Sequence, residues 1–157
     1  MTPSIALFQP DIPQNTGTIL RLAACLGVPA EIIEPAGFPV SDRAFRRAGM
    51  DYLDRVRLTR HVSWTAFEDD RRARGRRLVL ATTRGEVPYT AFPFSARDTI
   101  LLGRESAGAP DEVHAAADAR IVIPLLPALR SLNIAVAAAM ILGEALRQTG
   151  GFPPVQT

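Results

Sequence analysis

Ser4-Ile5-Ala6-Leu7-Phe8, Thr16 through Leu26, and Ala30-Glu31-Ile32-Ile33 form the stretch on which the fold turns. The first segment is a short apolar run ended by Gln9-Pro10, which reads as a buried strand. In the second, Ile19, Leu20, Leu22, Ala23 and Leu26 recur at helical spacing, and Gly27 stands where helices commonly stop. Asn15 and Thr16 suit the cap of that helix. The third segment is another apolar run, closed by Pro35 and Gly37. A strand, a helix and a second strand in so short a span make a βαβ unit, whose strands lie parallel.

The same alternation continues outward. Ser41-Asp42 caps a short helix through Arg47, with Gly49 as its stop, and Asp54 to Thr59 is a third strand. Ser63 caps a helix that runs to about Gly75, and Arg77 to Ala81 follows as a strand. Thr99 to Leu102 is the next strand, and Pro110 opens a short helix at its first turn. Arg120 to Ile123 is a strand stopped by Pro124, and Leu132 to Gln148 is a long apolar helix ended by Gly150-Gly151. This order predicts an α/β fold, a mostly parallel sheet flanked by helices, in one domain over residues 1–157.

Composition narrows the chemistry. The 157 residues are 47% apolar and 22% charged, the balance of a globular chain. The uncharged run from Ser131 to Gly143 is too short to cross a membrane, and the N-terminus carries no basic segment or long apolar core of a secretory signal. The expected location is therefore cytoplasmic. One cysteine, Cys25, and two histidines, His61 and His114, leave little for a disulfide, a metal centre or a Ser-His-Asp triad, so no metal is expected.

All 18 basic residues are arginine. Residues 41–77 hold 11 of them against six acids, whereas the rest of the chain holds seven against ten. A basic stretch on a near-neutral chain reads either as a polyanion footprint or as a solvated helix face with local ion pairs. The last helix, with Ile134 to Leu142 apolar nearly all round, needs cover on most sides. That cover is either the rest of the monomer or a second subunit, and the small residues favour a homodimer.

Familiar phosphate and nucleophile motifs fail. Gly103-Arg104-Glu105-Ser106-Ala107-Gly108 has the spacing of a phosphate loop, but Ala109-Pro110 replaces the Lys-Ser/Thr pair and Glu105 would repel a phosphate. Ser106 lies outside any G-x-S-x-G elbow, and no G-x-G-x-x-G occurs. What remains is chemistry of positioning and electrostatics, centred on three loops at strand ends. These are Pro13 to Arg21, Leu102 to Pro110, and Ile123 to Asn133. Arg21, alone on an apolar helix, is either snorkelling or aimed at a ligand.

Together the three loops resemble the SpoU branch of the SPOUT methyltransferases. The family pattern N-x-G-x-x-x-R is matched by Asn15, Gly17 and Arg21, and G-x-E-x-x-G by Gly103, Glu105 and Gly108. The third pattern is matched by Ile123-Pro124-Leu125 and Ser131-Leu132-Asn133-Ile134-Ala135-Val136-Ala137, where Ala135 and Val136 replace a further family Ser and its neighbour. Runs such as Arg46-Arg47-Ala48-Gly49, Thr59-Arg60-His61 and Thr82-Thr83-Arg84-Gly85 are similar to the TrmL subgroup, a bare SPOUT domain without an added RNA-binding domain.

The resemblance implies a C-terminal trefoil knot and S-adenosylmethionine-dependent 2′-O-methylation of the wobble nucleotide, position 34, in leucine tRNA anticodon loops. It implies a cofactor site at Ala81, Thr82, Leu102, Gly103, Ile123, Leu125, Ser131 and Leu132. It also implies a catalytic set of Arg21, Asn15, Glu105, Ser131 and Asn133, and a homodimer through the last helix. Arg43, Arg46, Arg47, Arg60 and His61 are the expected tRNA contacts. Tyr52 and Trp64 read as base-stacking rings, although a core role suits Trp64 better. An rRNA 2′-O-methyltransferase, or a non-catalytic knot that binds RNA or adenosylmethionine, remain the other readings.

Overall fold

The computed structural model describes residues 1–47 and 52–156. Seven strands form one sheet in the order β3-β2-β1-β6-β4-β7-β5, and every paired strand is parallel. They are β1 Ser4–Phe8, β2 Ala30–Ile33, β3 Leu58–His61, β4 Arg77–Ala81, β5 Val87–Pro88, β6 Asp98–Leu102 and β7 Ala119–Val122. The helices are α1 Pro13–Leu26, α2 Asp42–Arg47, α3 Trp64–Ala73, α4 Asp111–Ala116 and α5 Ile134–Thr149, with a 3₁₀ turn at Leu53–Arg55.

The strand period of two sorts the core into two layers. Ile5, Leu7, Ile32, Val79, Ile100 and Ile121 face one side, where Ile19, Leu20 and Ala23 of α1 meet Ala138, Ile141, Leu142, Ala145 and Leu146 of α5. Ala6, Phe8, Ile33, Leu78, Leu80 and Leu101 face the other side, against Phe67 of α3 and Val113 of α4. Burial on both faces explains why the central strands read as continuous apolar runs. Trp64 packs at the edge of this second layer, edge-on to Phe8 with ring centroids 5.9 Å apart.

Several boundaries differ from the sequence expectation. Helix α1 begins three residues earlier, with Ile12 as its cap and Pro13 at its first position, so Asn15 and Thr16 lie inside the first turn and do not cap it. The third strand is Leu58–His61, because residues 53–55 close into a 3₁₀ turn. Pro110 is the cap of α4 and not its first residue, and Asn133 caps α5, accepting from the amides of Ala135 and Val136. Ser41 and Ser63 cap α2 and α3 as read, accepting from Ala44 and Ala66. Gly49 lies outside the described residues. No helix among the described residues is long and apolar enough to cross a membrane.

Candidate active site

In a parallel sheet, loops at the carboxyl ends of the strands build the ligand site. Here β4, β6 and β7 end side by side, and their loops surround a cavity of about 630 Å³ that also takes in the first turn of α1 and the start of α5. Its walls include Ala81, Thr82, Leu102, Gly103, Ile123, Leu125, Ser131 and Leu132, together with Asn15, Glu105 and Asn133. Ile12, Thr83, Arg104, Ser106, Arg130 and Ile134 also line it; all but Ile12 lie within the loops and runs that the sequence marks, although none of them reads there as a site residue.

One short turn shapes the cavity. Arg104 and Gly108 exchange backbone hydrogen bonds at 3.2 and 2.8 Å and so close the 104–108 turn, with Gly108 at φ +67. A side chain at Gly103 would come within 2.6 Å of the Ala109 nitrogen, so the turn folds back tightly only on glycine.

Asn133 ties the site together. Its side-chain oxygen caps α5, and its amide nitrogen donates to the Asn15 side-chain oxygen at 3.1 Å. The first and last helices thus meet over the cavity through one residue pair 118 positions apart in sequence.

Asp11 and Glu105 form the charged edge. The Asp11 amide donates to Glu105 Oε2 at 3.2 Å, and the Ser106 hydroxyl donates to Asp11 Oδ2. Arg104 Nε lies 3.8 Å from that same oxygen. Burial, then the Asp11 carboxyl, pushes the Glu105 carboxyl above its ordinary range. Its bond with Glu105, then the Ser106 hydroxyl, holds Asp11 below the usual range. The neighbouring carboxyls are thus pushed in opposite directions, and Glu105 is the one that keeps its proton to higher pH.

Arg21 is not in the cavity wall. It stands exposed on α1 with its guanidinium 5.6 Å from the centre of the Tyr52 ring. Tyr52 is half-buried, its hydroxyl donates to the Gly17 carbonyl of α1, and Arg21 lies over its ring.

The basic stretch does not form one surface. Arg43, Arg47, Arg55, Arg57 and Arg60 are exposed, and Arg60 donates to the Val40 carbonyl at 2.7 Å. The Arg46 side chain lies outside the described residues. Arg71 and Arg76 are buried; Arg76 donates to Thr99, Ser4 and the carbonyls of Thr2 and Asp98 across the starts of β1 and β6.

His61, expected on the tRNA face, is only 6% exposed. Its Nε2 lies 2.9 Å from Glu31 Oε1 and its ring packs edge-on to Phe67, so it is engaged inside the subunit and not on its surface. Glu31, His61 and Asp70 bring ligand-type atoms within 4.8 Å of one another, but Arg74 donates to Glu31 at 2.9 Å and pairs with Asp70 at 2.8 Å. The guanidinium already supplies the positive charge that a metal would bring there.

Comparison with known proteins places this geometry. The family model described as SpoU rRNA Methylase matches residues 3–143. A tRNA (cytidine(34)-2′-O)-methyltransferase of Beijerinckia indica is 68% identical over 151 residues, covering 96% of this chain and 94% of that protein. A solved structure on the 2-OH methylation of C/U34 on tRNA superimposes with a TM-score of 0.86 at 41% identity, over 94% of this chain and 95% of the other. The SpoU methyltransferase AviRb from Streptomyces viridochromogenes, solved with the cofactor AdoMet, gives a TM-score of 0.82 at 30% identity, over 94% of this chain and 57% of that one. With its sheet, three motif loops and nearly full-length matches in agreement, this chain belongs to the SpoU methylase family.

Proposed function

We propose that the protein is an S-adenosylmethionine-dependent RNA ribose methyltransferase that modifies the 2′-hydroxyl of nucleotide 34 of tRNA, with leucine tRNAs as substrates, in the cytoplasm. The observation that carries this reading is the cavity at the ends of β4, β6 and β7, walled by the three motif loops and bridged by Asn15 and Asn133. The relatives named for cytidine-34 methylation, matched over almost their whole length, supply the substrate class.

The cavity suits the cofactor in size and in chemistry. About 630 Å³ lies within the roughly 300–1,000 Å³ range of small-molecule sites. Uncharged walls at Ala81, Leu102, Ile121 and Ile123 suit a nucleoside, and polar groups at Arg104, Glu105, Arg130 and Ser131 suit an amino-acid end. Ala81, Thr82, Leu102, Gly103, Ile123, Leu125, Ser131 and Leu132 hold it in this reading, within the trefoil knot that the resemblance implies. When bound, S-adenosylmethionine supplies a methyl group activated by its sulfonium.

The chain's own work is then positional and electrostatic. Asn15 and Asn133 fix the seam between α1 and α5 along which the target ribose lies. Glu105 is held by the Asp11 amide and shares the cavity wall with Asn15 and Asn133. A guanidinium carries donors and no acceptor, so Arg21 serves as an electrostatic clamp on the ribose oxygen and adjoining phosphate, not as a base. Arg43, Arg46, Arg47 and Arg60 take the tRNA phosphates.

The protein acts as a homodimer in this reading. Val136 and Met140 of α5 are 50% and 38% exposed, and Leu125, Leu126, Leu129 and Leu132 of the loop before α5 are exposed as well. Exposed large apolar side chains gathered on one stretch of chain are one mark of a subunit interface. The test is transfer of labelled methyl from S-adenosylmethionine to unmodified tRNA. Label that makes the adjoining phosphodiester resistant to alkali supports ribose methylation, and label only on bases overturns it.

A further inference from the structure

We infer that His114 of α4, its tautomer fixed by Arg84, sets Thr82 as a hydrogen-bond donor into the cavity, which makes His114 a positioning residue for cofactor binding. The inference rests on the reading of the cavity as the cofactor site.

The assignment follows from counting donors and acceptors. His114 Nδ1 lies 2.9 Å from an Arg84 guanidinium nitrogen and 3.2 Å from the Pro110 carbonyl. A guanidinium donates and never accepts, which assigns Nδ1 as the accepting nitrogen. A proton on Nδ1 would point a donor at a donor across the shorter of the two contacts. Arg84 is itself held by Asp111 Oδ1, 3.2 Å from both of its terminal nitrogens.

With Nδ1 accepting, the ring proton sits on Nε2, 2.9 Å from the Thr82 hydroxyl oxygen. The Arg84 backbone amide donates to that same oxygen at 3.2 Å. A hydroxyl has two lone pairs and one proton, and both lone pairs of Thr82 are thereby used. Its proton is left to donate elsewhere. Thr82 lines the cavity beside Ala81, in the loop after β4, so that proton is available to a ligand bound there. The complementary feature is an acceptor oxygen or nitrogen on the bound cofactor.

The test is a double-mutant cycle read by calorimetric titration with S-adenosylhomocysteine. Thr82→Val and His114→Phe should each weaken binding by about three- to tenfold, the worth of one neutral hydrogen bond. The double variant should bind no more weakly than Thr82→Val alone, because His114 acts only through that hydroxyl. His114→Gln, which keeps one donor and one acceptor, should restore most of the affinity. Additive losses in the double variant, or His114→Gln as weak as His114→Phe, would overturn the inference while leaving the cavity reading intact. Wild-type protein that does not bind S-adenosylhomocysteine would overturn both.

Discussion

The Arg21 guanidinium lies 5.6 Å from the centre of the Tyr52 ring, and the Tyr52 hydroxyl donates back to Gly17 on the same helix as Arg21. The ring is thus a shelf fixed to α1 that holds an exposed cation in place. Burial, more than the nearby Arg21 charge, governs Tyr52 and pushes its hydroxyl above the ordinary range. It stays protonated and donating throughout the neutral range.

If Arg21 clamps the developing charge, Arg21→Ala should slow methylation by roughly a hundredfold or more. Cofactor affinity should barely change, because Arg21 lies outside the cavity wall. Arg21→Lys should restore little, since lysine keeps the charge but not the planar fork. Tyr52→Phe should cost about 1 kcal/mol of stability in urea unfolding, for the lost bond to Gly17, and a smaller share of the rate. Wild-type turnover in Arg21→Ala would show Arg21 to be an ordinary surface residue.

The exposed arginines of α2 make a separate forecast. Arg43→Glu with Arg47→Glu should weaken tRNA binding and flatten its dependence on salt, as fewer counterions are released. S-adenosylhomocysteine affinity should be unchanged. An equal fall in both affinities would make α2 a structural element and move the tRNA footprint elsewhere.

The sequence showed most of the sheet because β1, β2, β4 and β6 are buried on both faces and so are nearly unbroken apolar runs. It missed β5, which is two residues long and includes Pro88, and it misplaced β3, whose exposed Thr59 and Arg60 blur the pattern. The three motif loops were legible as a group through the family pattern. The fate of His61 was not: its burial depends on Glu31 in the neighbouring strand and on Arg74, both remote in sequence. Arg71 and Arg76 misled for the same reason, since a charge count cannot tell a solvated guanidinium from one buried against carbonyls and hydroxyls. Asp11 was overlooked because its partner Glu105 is 94 residues away.

The Asp11–Glu105 pair gives a pH forecast. Glu105 sits above its ordinary range, so the stability tied to its proton is present in acid and is lost as pH rises through its folded value. Asp11 sits below its range, so its contribution is present above the ordinary aspartate value and is lost as pH falls through the lowered one. Asp11→Asn removes the neighbour that helps raise Glu105 and should bring the Glu105 titration down, though not fully, because burial is the larger cause. Carbon-13 titration of the Glu105 carboxyl reads this directly, and an unmoved midpoint would contradict the pairing.

Exposure of Val136 and Met140 leads to a test of assembly. The protein should sediment as a dimer at micromolar concentration, and Met140→Glu should give a folded monomer of about 17 kDa with weakened cofactor binding. A wild-type monomer would remove the subunit interface from the account.

The central claim is the site of methylation, and fragment mass spectrometry tests it most directly. Unmodified leucine tRNA is incubated with the protein and methyl-labelled S-adenosylmethionine, digested with a base-specific nuclease, and the labelled fragment sequenced. The account predicts one added methyl in the anticodon fragment, on the ribose of nucleotide 34, and at most about a hundredth of that signal after Arg21→Ala at the same early time point. A methyl on a base, at another position, or only on rRNA would contradict it.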